Sequence, residues 1–148
     1  MNEKFFDLKK EKQDRMINAS LKVFAMNGYA HASTDDIVRE AGISKGLLFH
    51  YFVSKLGLYS FIYDYSIRYV ILELTTGVDK EETDYFRLVG QIREAELQVM
   101  RNYPCMMLFL NNSRLENVSE VLLETEDKRN ILSEKYAQIL SQATGEEL

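Results

Sequence analysis

Three predicted helix starts lie close together between residues 33 and 55. Thr34, Lys45 and Lys55 each begin a predicted helix, and a serine precedes each of them. A helix N-terminus presents unpaired backbone N–H groups and a partial positive charge, which together attract phosphate and other anions. Three such ends, two of them carrying a lysine, therefore predict a surface that contacts a phosphate backbone.

The same stretch has the layout of a helix-turn-helix. Residues 34–41 predict a helix of two turns capped by Ser33 or Thr34, and residues 45–52 predict a second short helix capped by Ser44. Gly42 between them allows the positive φ of a sharp turn, and the apolar Ile43 is expected to fill the gap between the two helices. In this motif the second helix enters the major groove of DNA.

The second short helix divides into a core face and an outward face. Leu48 and Phe52, four residues apart, are expected to pack against Ile37 and Val38 of the preceding helix. Gly46 costs the helix about 1 kcal/mol relative to alanine, so we expect that it allows a partner to approach the backbone closely. The residues predicted to point outward are Lys45, Gly46, Leu47, His50 and Tyr51.

Helical periodicity with few breakers predicts an all-α protein. The 148 residues include one proline and seven glycines. We expect a three-helix head in residues 1–53, with helices over 8–27, 34–41 and 45–52 and a left-handed cap at Gly28. A long helix over 54–76 should join it to an all-helical body in residues 54–148. The body is predicted to hold a helix ending before Pro104, a short helix starting at Pro104 and one last helix over 118–143.

Charge and composition agree with a cytoplasmic DNA-binding protein. Residues 1–60 contain nine Lys and Arg against seven Asp and Glu, a net charge of +2, whereas residues 61–148 contain nine against sixteen, a net charge of −7. A cationic head on an acidic body fits nucleic-acid binding by the head. We predict no signal peptide, no membrane partner and, with Cys105 as the single cysteine, a reducing compartment.

The sequence offers little support for enzymatic or metal chemistry. His31 and His50 lack a second ligand at metal-binding spacing, and neither a catalytic triad pattern nor a phosphate-cradling glycine loop occurs. We therefore predict that the protein is not an enzyme and carries no metal and no cofactor. A helical module that binds only protein remains an alternative. It would explain the apolar stripes but not the three helix starts.

Beyond these physical arguments, residues 15–63 resemble the DNA-binding domain of the TetR family of bacterial regulators. The likeness rests on the helix end before Gly28, the Thr34 to Ala41 helix, the segment Ala41-Gly42-Ile43-Ser44-Lys45-Gly46, and the later Tyr51-Phe52 and Ser54-Lys55 pairs. Leu47 and Phe49 depart from the family, which usually has threonine, serine or alanine at the first position and tyrosine at the second.

The resemblance implies a homodimeric transcriptional regulator, usually a repressor, that binds a palindromic double-stranded operator. It also implies that a small apolar or aromatic inducer binds the body and releases the DNA, and that the body is incomplete here because the family's last two helices have no counterpart. The DNA-contacting residues predicted from motif and resemblance together are Ser33, Thr34, Ser44, Lys45, Gly46, Leu47, His50, Tyr51 and Lys55. Activation instead of repression remains open.

Aromatic and methionine side chains of the body are candidates for an inducer cavity. The alternative is that they form ordinary core, as stripes at helical spacing usually do. The residues predicted to line the cavity are Phe61, Tyr65, Tyr69, Phe86, Met100, Tyr103 and Met107.

Overall fold

The computed structural model describes residues 2–144, and these residues form helices without a β-strand. After a 3-10 turn at Glu3–Asp7, the chain forms α1 (Lys10–His31), α2 (Thr34–Ala41), α3 (Lys45–Phe52), α4 (Lys55–Gly77), α5 (Tyr85–Asn102), α6 (Met106–Ser113), α7 (Ser119–Thr125) and α8 (Ile131–Leu140). The predicted all-α class is confirmed. We call α1–α3 with the preceding turn the head, and α4–α8 the body.

Side-chain caps fix the beginnings of the short helices. The Ser33 hydroxyl accepts the N–H groups of Asp35 and Asp36, and the Ser44 hydroxyl accepts the N–H of Leu47. Ser54 caps α4 in the same way through the N–H of Gly57. These local interactions explain why the starts of α2, α3 and α4 were predictable from the sequence.

Two glycines of the head adopt positive φ. Gly42 ends α2 in the left-handed conformation at φ 68° and ψ 38°, as predicted. Gly28 has φ 74° but ψ 170°, so it is a kink and not the predicted left-handed cap. The chain re-enters the helix for one further turn and α1 ends at His31, because side chains from the body satisfy the backbone groups that the kink frees.

Head and body share one hydrophobic core. Helix α1 packs mainly against α2 and α6, while α4 packs mainly against α5. The core includes Phe24 of α1, Leu48 of α3, Tyr59 of α4 and Phe109 of α6. Because α1 contacts α2 of the head and both α4 and α6 of the body, it is the main packing connection between the head and the body.

The prediction of a single last helix over residues 118–143 is wrong. The segment forms α7 and α8, separated by turns over residues 126–130, which are rich in charge. The buried face of α7 ends at Thr125, and the next fully buried position is Ile139.

Two smaller details of the other helices also differ from a simple periodic pattern. Pro104 lies two residues before α6, not at its first position as predicted. Leu72 is 56% exposed, because the buried face of α4 lies on its other side.

Among residues 2–144, no helix is long and apolar enough to cross a membrane.

Candidate nucleic-acid interface

The outward face of α3 carries two exposed residues around an accessible backbone. Lys45 and His50 are exposed, and a Cβ placed on Gly46 would meet nothing within 4 Å. Leu47 is only half-buried, so part of its side chain also reaches this face. A large partner could therefore approach the helix backbone at Gly46 without steric hindrance.

Lys45 is held near the start of α2 by an ion pair. Its ammonium lies 2.9 Å from the Asp35 carboxylate, and both side chains are more than half exposed. Exposed ion pairs contribute at most about 1 kcal/mol, because water competes for both partners. Lys45 can therefore exchange Asp35 for a phosphate at little cost.

Tyr51 does not point outward, and that expectation was wrong. The residue is 8% exposed, and its ring lies edge-on to Phe5 with ring centroids 5.8 Å apart. The Tyr51 carbonyl also accepts the backbone N–H of Asn2 at 2.8 Å. The N-terminal turn thus covers the end of α3, a tertiary contact that helical periodicity alone does not indicate.

Lys55 is directed into the protein, contrary to its predicted role at the phosphate surface. Its ammonium donates to the carbonyls of Tyr29 at 2.8 Å and Ala32 at 3.3 Å, and it lies 4.4 Å from the centre of the Tyr29 ring. A cation at the C-terminal end of α1 is favoured by the helix dipole. Lys55 therefore ties the start of α4 to the end of α1.

A strained turn connects α3 to α4. Val53 has φ 70° and ψ −47°, and the Ser54 N–H donates to the Phe52 carbonyl at 2.8 Å, which defines a γ-turn of the rare, strained kind. Gly57 permits the turn, because a Cβ there would lie 2.2 Å from the Phe52 oxygen. The orientation of α3 relative to α4 is thus set by backbone contact.

The body contains a half-open cleft between α4, α5, α6 and the start of α8. Its volume is about 840 Å³, within the usual range for small-molecule sites. Its lining combines apolar, aromatic and charged side chains, including Tyr63, Ile67, Glu96, Met107, Arg114 and Arg129.

Of the seven residues predicted to line an inducer cavity, only Met107 borders this cleft. Phe86 is 77% exposed and Met100 is 43% exposed. The other four residues lie away from the cleft and continue an aromatic ladder that begins at Phe5 of the head: Phe61, Tyr65 and Tyr69 of α4, and Tyr103 directly after α5. Helical spacing identified them as inward-facing but did not distinguish the core face from the cleft face.

The aromatic ladder ends in a polar network that joins the body to α1. The Tyr65 and Tyr103 hydroxyls are 2.6 Å apart, and the Tyr103 hydroxyl donates to the Asp14 carboxylate at 3.0 Å. Burial, together with the bond to Asp14, raises the pKa of Tyr103 to about 12. The neutral phenol therefore persists at physiological pH and can keep donating to Asp14.

Two side chains near the end of α6 hold the kink of α1, and sequence reasoning missed both. The Asn112 amide donates to the Ala25 carbonyl at 2.9 Å, and the Glu116 carboxylate accepts the Tyr29 N–H at 2.8 Å. Both backbone groups lie beside Gly28, where the helical hydrogen bonding of α1 is interrupted. We call Asn112 and Glu116 the kink clamp.

A short capped helix that is exposed after a tight glycine turn is the geometry of a helix-turn-helix motif. Residues 16–60 match the family model described as bacterial regulatory proteins of the tetR family. The chain is 38% identical over 93 residues to the uncharacterised HTH-type transcriptional regulator YuxN of Bacillus subtilis, an alignment that covers 60% of this chain and 32% of YuxN. It is 40% identical over 47 residues to the uncharacterised HTH-type transcriptional regulator TtgW of Pseudomonas putida, covering 32% of this chain and 35% of TtgW.

Solved structures with the same fold extend over nearly the whole chain. A TetR-like transcriptional regulator from Rhodococcus sp. RHA1 aligns with a TM-score of 0.67 at 22% identity, covering 95% of this chain and 75% of that one. A TetR family regulator from Shewanella sp. PV-4 aligns with a TM-score of 0.62 at 23% identity, covering 90% and 70%. Residues 16–60 therefore match the TetR-type helix-turn-helix domain, and the described residues share the fold of these solved regulators. The chain spans about a third of the length of YuxN.

Proposed function

We propose that the protein is a transcriptional regulator that reads operator DNA with α3. The observation that carries this proposal is the exposed face of α3, where Lys45 and His50 flank a backbone left open by Gly46. The major groove admits an α-helix, and side chains near the N-terminus of a recognition helix contact base edges. A protein that binds operator DNA acts in the bacterial cytoplasm, so the proposal includes that location.

The contacts divide by chemistry into phosphate and base contacts. Phosphate is suited to the Thr34 hydroxyl and to the backbone N–H groups at the starts of α2 and α3, which Ser33 and Ser44 cap. Lys45 and His50 are the side chains best positioned to reach base edges, with Leu47 offering an apolar contact. Tyr51 and Lys55 act indirectly in this proposal, because their interactions within the head hold α3 and α4 in place.

Dimerisation is part of the proposal because one head offers a small reading surface. Helix α3 has eight residues, and a single helix of this length contacts few base pairs. Two heads spaced by one turn of DNA, about 34–36 Å, would read a palindromic operator. Light scattering of the protein, alone and with its DNA, measures the stoichiometry. Two chains per operator are expected, and one chain per site would contradict the dimer.

A selection of bound sequences from a random duplex pool tests the DNA-binding proposal. We expect an enriched inverted repeat with the wild-type chain and a relaxed repeat with His50→Ala, which removes a candidate base contact at an exposed position. Arg93→Ala on the exposed side of α5 is the matched control and should select the wild-type motif. Failure of the wild-type chain to enrich any motif would refute sequence-specific reading.

We further propose that a ligand in the body cleft releases the DNA through α6. Residues of α6 from Met107 to Ser113 line the cleft, and the kink clamp near its end holds the backbone of α1 at Ala25 and Tyr29. The Tyr29 carbonyl in turn accepts the Lys55 ammonium at the start of α4. A displacement of α6 would therefore reach the helix that follows the recognition helix.

This coupling requires a thermodynamic preference of the ligand. A ligand shifts the protein toward the DNA-incompetent geometry only if it binds that geometry more tightly. Repression followed by ligand release is the order that this proposal expects. Small-angle scattering of the protein–DNA complex before and after ligand addition would show dissociation. Unchanged complex at saturating ligand would contradict the release mechanism.

A further inference from the structure

We infer that the effector of the body cleft is an amphipathic anion, with an apolar or aromatic skeleton and one carboxylate-like group bound by Arg129 and Arg114. This inference rests on the proposed ligand-responsive function and specifies its ligand. It also revises the predicted apolar or aromatic inducer by adding a negative charge.

The walls of the cleft are apolar enough to bind a hydrocarbon or aromatic skeleton. Ile67, Met107, Leu110 and Leu132 contribute aliphatic surface, and Tyr63 adds an aromatic ring. Burying such a skeleton gains about 25 cal/mol per Å² of apolar surface removed from water. Shape and lining thus favour an organic molecule over a bare inorganic ion.

The positive charges in the cleft have no carboxylate partner among residues 2–144. Neither Arg114 nor Arg129 lies within 4.0 Å of an Asp or Glu oxygen, although the body as a whole is acidic. Arg129 is half-buried, and Arg114 lies at the exposed rim. Binding a ligand against unpaired guanidinium groups removes water from them, and this desolvation is costly unless the ligand supplies a negative charge.

Among residues 2–144, the one acidic side chain that lines the cleft already has a hydrogen-bond partner. The Glu96 carboxylate accepts the Tyr136 hydroxyl at 2.7 Å, so its charge is partly satisfied inside the protein. A cationic ligand would have to approach two guanidinium groups to reach this single carboxylate. The local balance therefore favours an anion.

Arg129 is near enough to the Tyr63 phenol of the cleft to act on it electrostatically. Its positive charge lowers the pKa of Tyr63, opposing the larger increase that burial produces. Asn130 and Ser133 follow closely in the chain and also line the cleft. A carboxylate at this end would find a planar guanidinium with neutral hydrogen-bonding groups around it, the arrangement that suits bidentate binding.

Matched pairs of small probes test the inference directly on the protein without DNA. Calorimetric titrations with octanoate against octanamide, and with 2-naphthoate against 2-naphthamide, compare a charged with a neutral head on one skeleton. We expect at least about a tenfold preference for each carboxylate, since hydrogen bonds to charged groups are the stronger kind. Arg129→Gln should remove most of the preference, Arg114→Gln should reduce it, and Arg93→Gln outside the cleft should leave it unchanged.

Several outcomes would overturn the inference. Equal binding of amide and carboxylate, absence of binding by all four probes, or an unchanged preference in Arg129→Gln would each do so. The inference would also be overturned if a second copy of the chain covered the cleft, so that binding of the probes weakened as the protein concentration rose. The circular dichroism spectrum and melting temperature of each variant verify folding. Because no DNA is present, failure here leaves the DNA-binding proposal standing, and loss of operator binding would not affect these titrations.

Discussion

The Glu116 carboxylate accepts the backbone N–H of Tyr29 at 2.8 Å, across 87 positions of sequence. Tyr29 lies directly after the kink at Gly28, where its N–H has lost a helical partner. The Tyr29 carbonyl also accepts a hydrogen bond from the Lys55 ammonium at the start of α4. Tyr29 is therefore contacted by the body on one side and by the helix after the recognition helix on the other.

Removing this contact should weaken both stability and coupling. Glu116→Ala leaves the Tyr29 N–H without its partner, and we expect a loss of about 1–3 kcal/mol in the free energy of unfolding. Glu116→Gln retains an acceptor oxygen, so its free energy of unfolding should fall by less. Urea denaturation measures both changes, and Glu126→Ala on the exposed turn after α7 is the control.

The functional consequence of the same variant follows from the proposed path. Glu116→Ala should still bind ligand in the cleft, but ligand should release its DNA less effectively than in the wild-type chain. DNA titrations with and without ligand measure this difference. Full release by the variant would show that coupling bypasses Tyr29.

Gly46 and Gly90 form a matched pair for separating stability from recognition. Both lie within helices, and a Cβ at either would meet nothing within 4 Å. Alanine at each site should therefore raise the free energy of unfolding by up to about 1 kcal/mol through helix propensity. Only Gly46→Ala should weaken operator binding, by about tenfold, because its methyl group would occupy the surface facing the groove. Equal DNA affinity in the two variants would remove Gly46 from the interface.

Much of the head was predictable because its determinants are local. Ser33, Ser44 and Ser54 cap the helices that follow them, and Gly42 turns the chain, all through contacts within a few residues. Tyr51 and Lys55 were misassigned because their partners, Phe5 and Tyr29, are distant in sequence. The cleft was missed for a similar reason, since helical spacing does not indicate which helix packs against each side of α4.

The two lysines of the interface region should respond differently to substitution. Lys55→Met keeps the aliphatic stem but removes two charge-assisted bonds to carbonyls, so we expect a loss of about 2 kcal/mol in unfolding free energy. Lys45→Met breaks only an exposed ion pair and should change stability by less than about 1 kcal/mol. It should instead lower DNA affinity and reduce the salt slope by about one unit. The reverse pattern would restore the original assignment of Lys55 to phosphate.

The turn between α3 and α4 gives a prediction about backbone strain. Gly57→Ala would place a methyl group against the Phe52 carbonyl and should destabilise the protein by about 1–3 kcal/mol. Val53→Gly should raise stability by about 1 kcal/mol, since a β-branched residue is strained at positive φ. Thermal denaturation measures both variants. A stable Gly57→Ala protein would show that the turn can open without loss.

In the proposed complex, the exposed face of α3 meets the phosphate-lined groove of duplex DNA. Fluorescence anisotropy of a labelled duplex, titrated with the chain at salt concentrations from about 50 to 200 mM, measures this contact. We expect the DNA affinity to fall steeply with salt and linearly on logarithmic axes, with a shallower slope for Lys45→Met. An affinity that does not change with salt, or no binding at the lowest salt, would contradict the proposed complex.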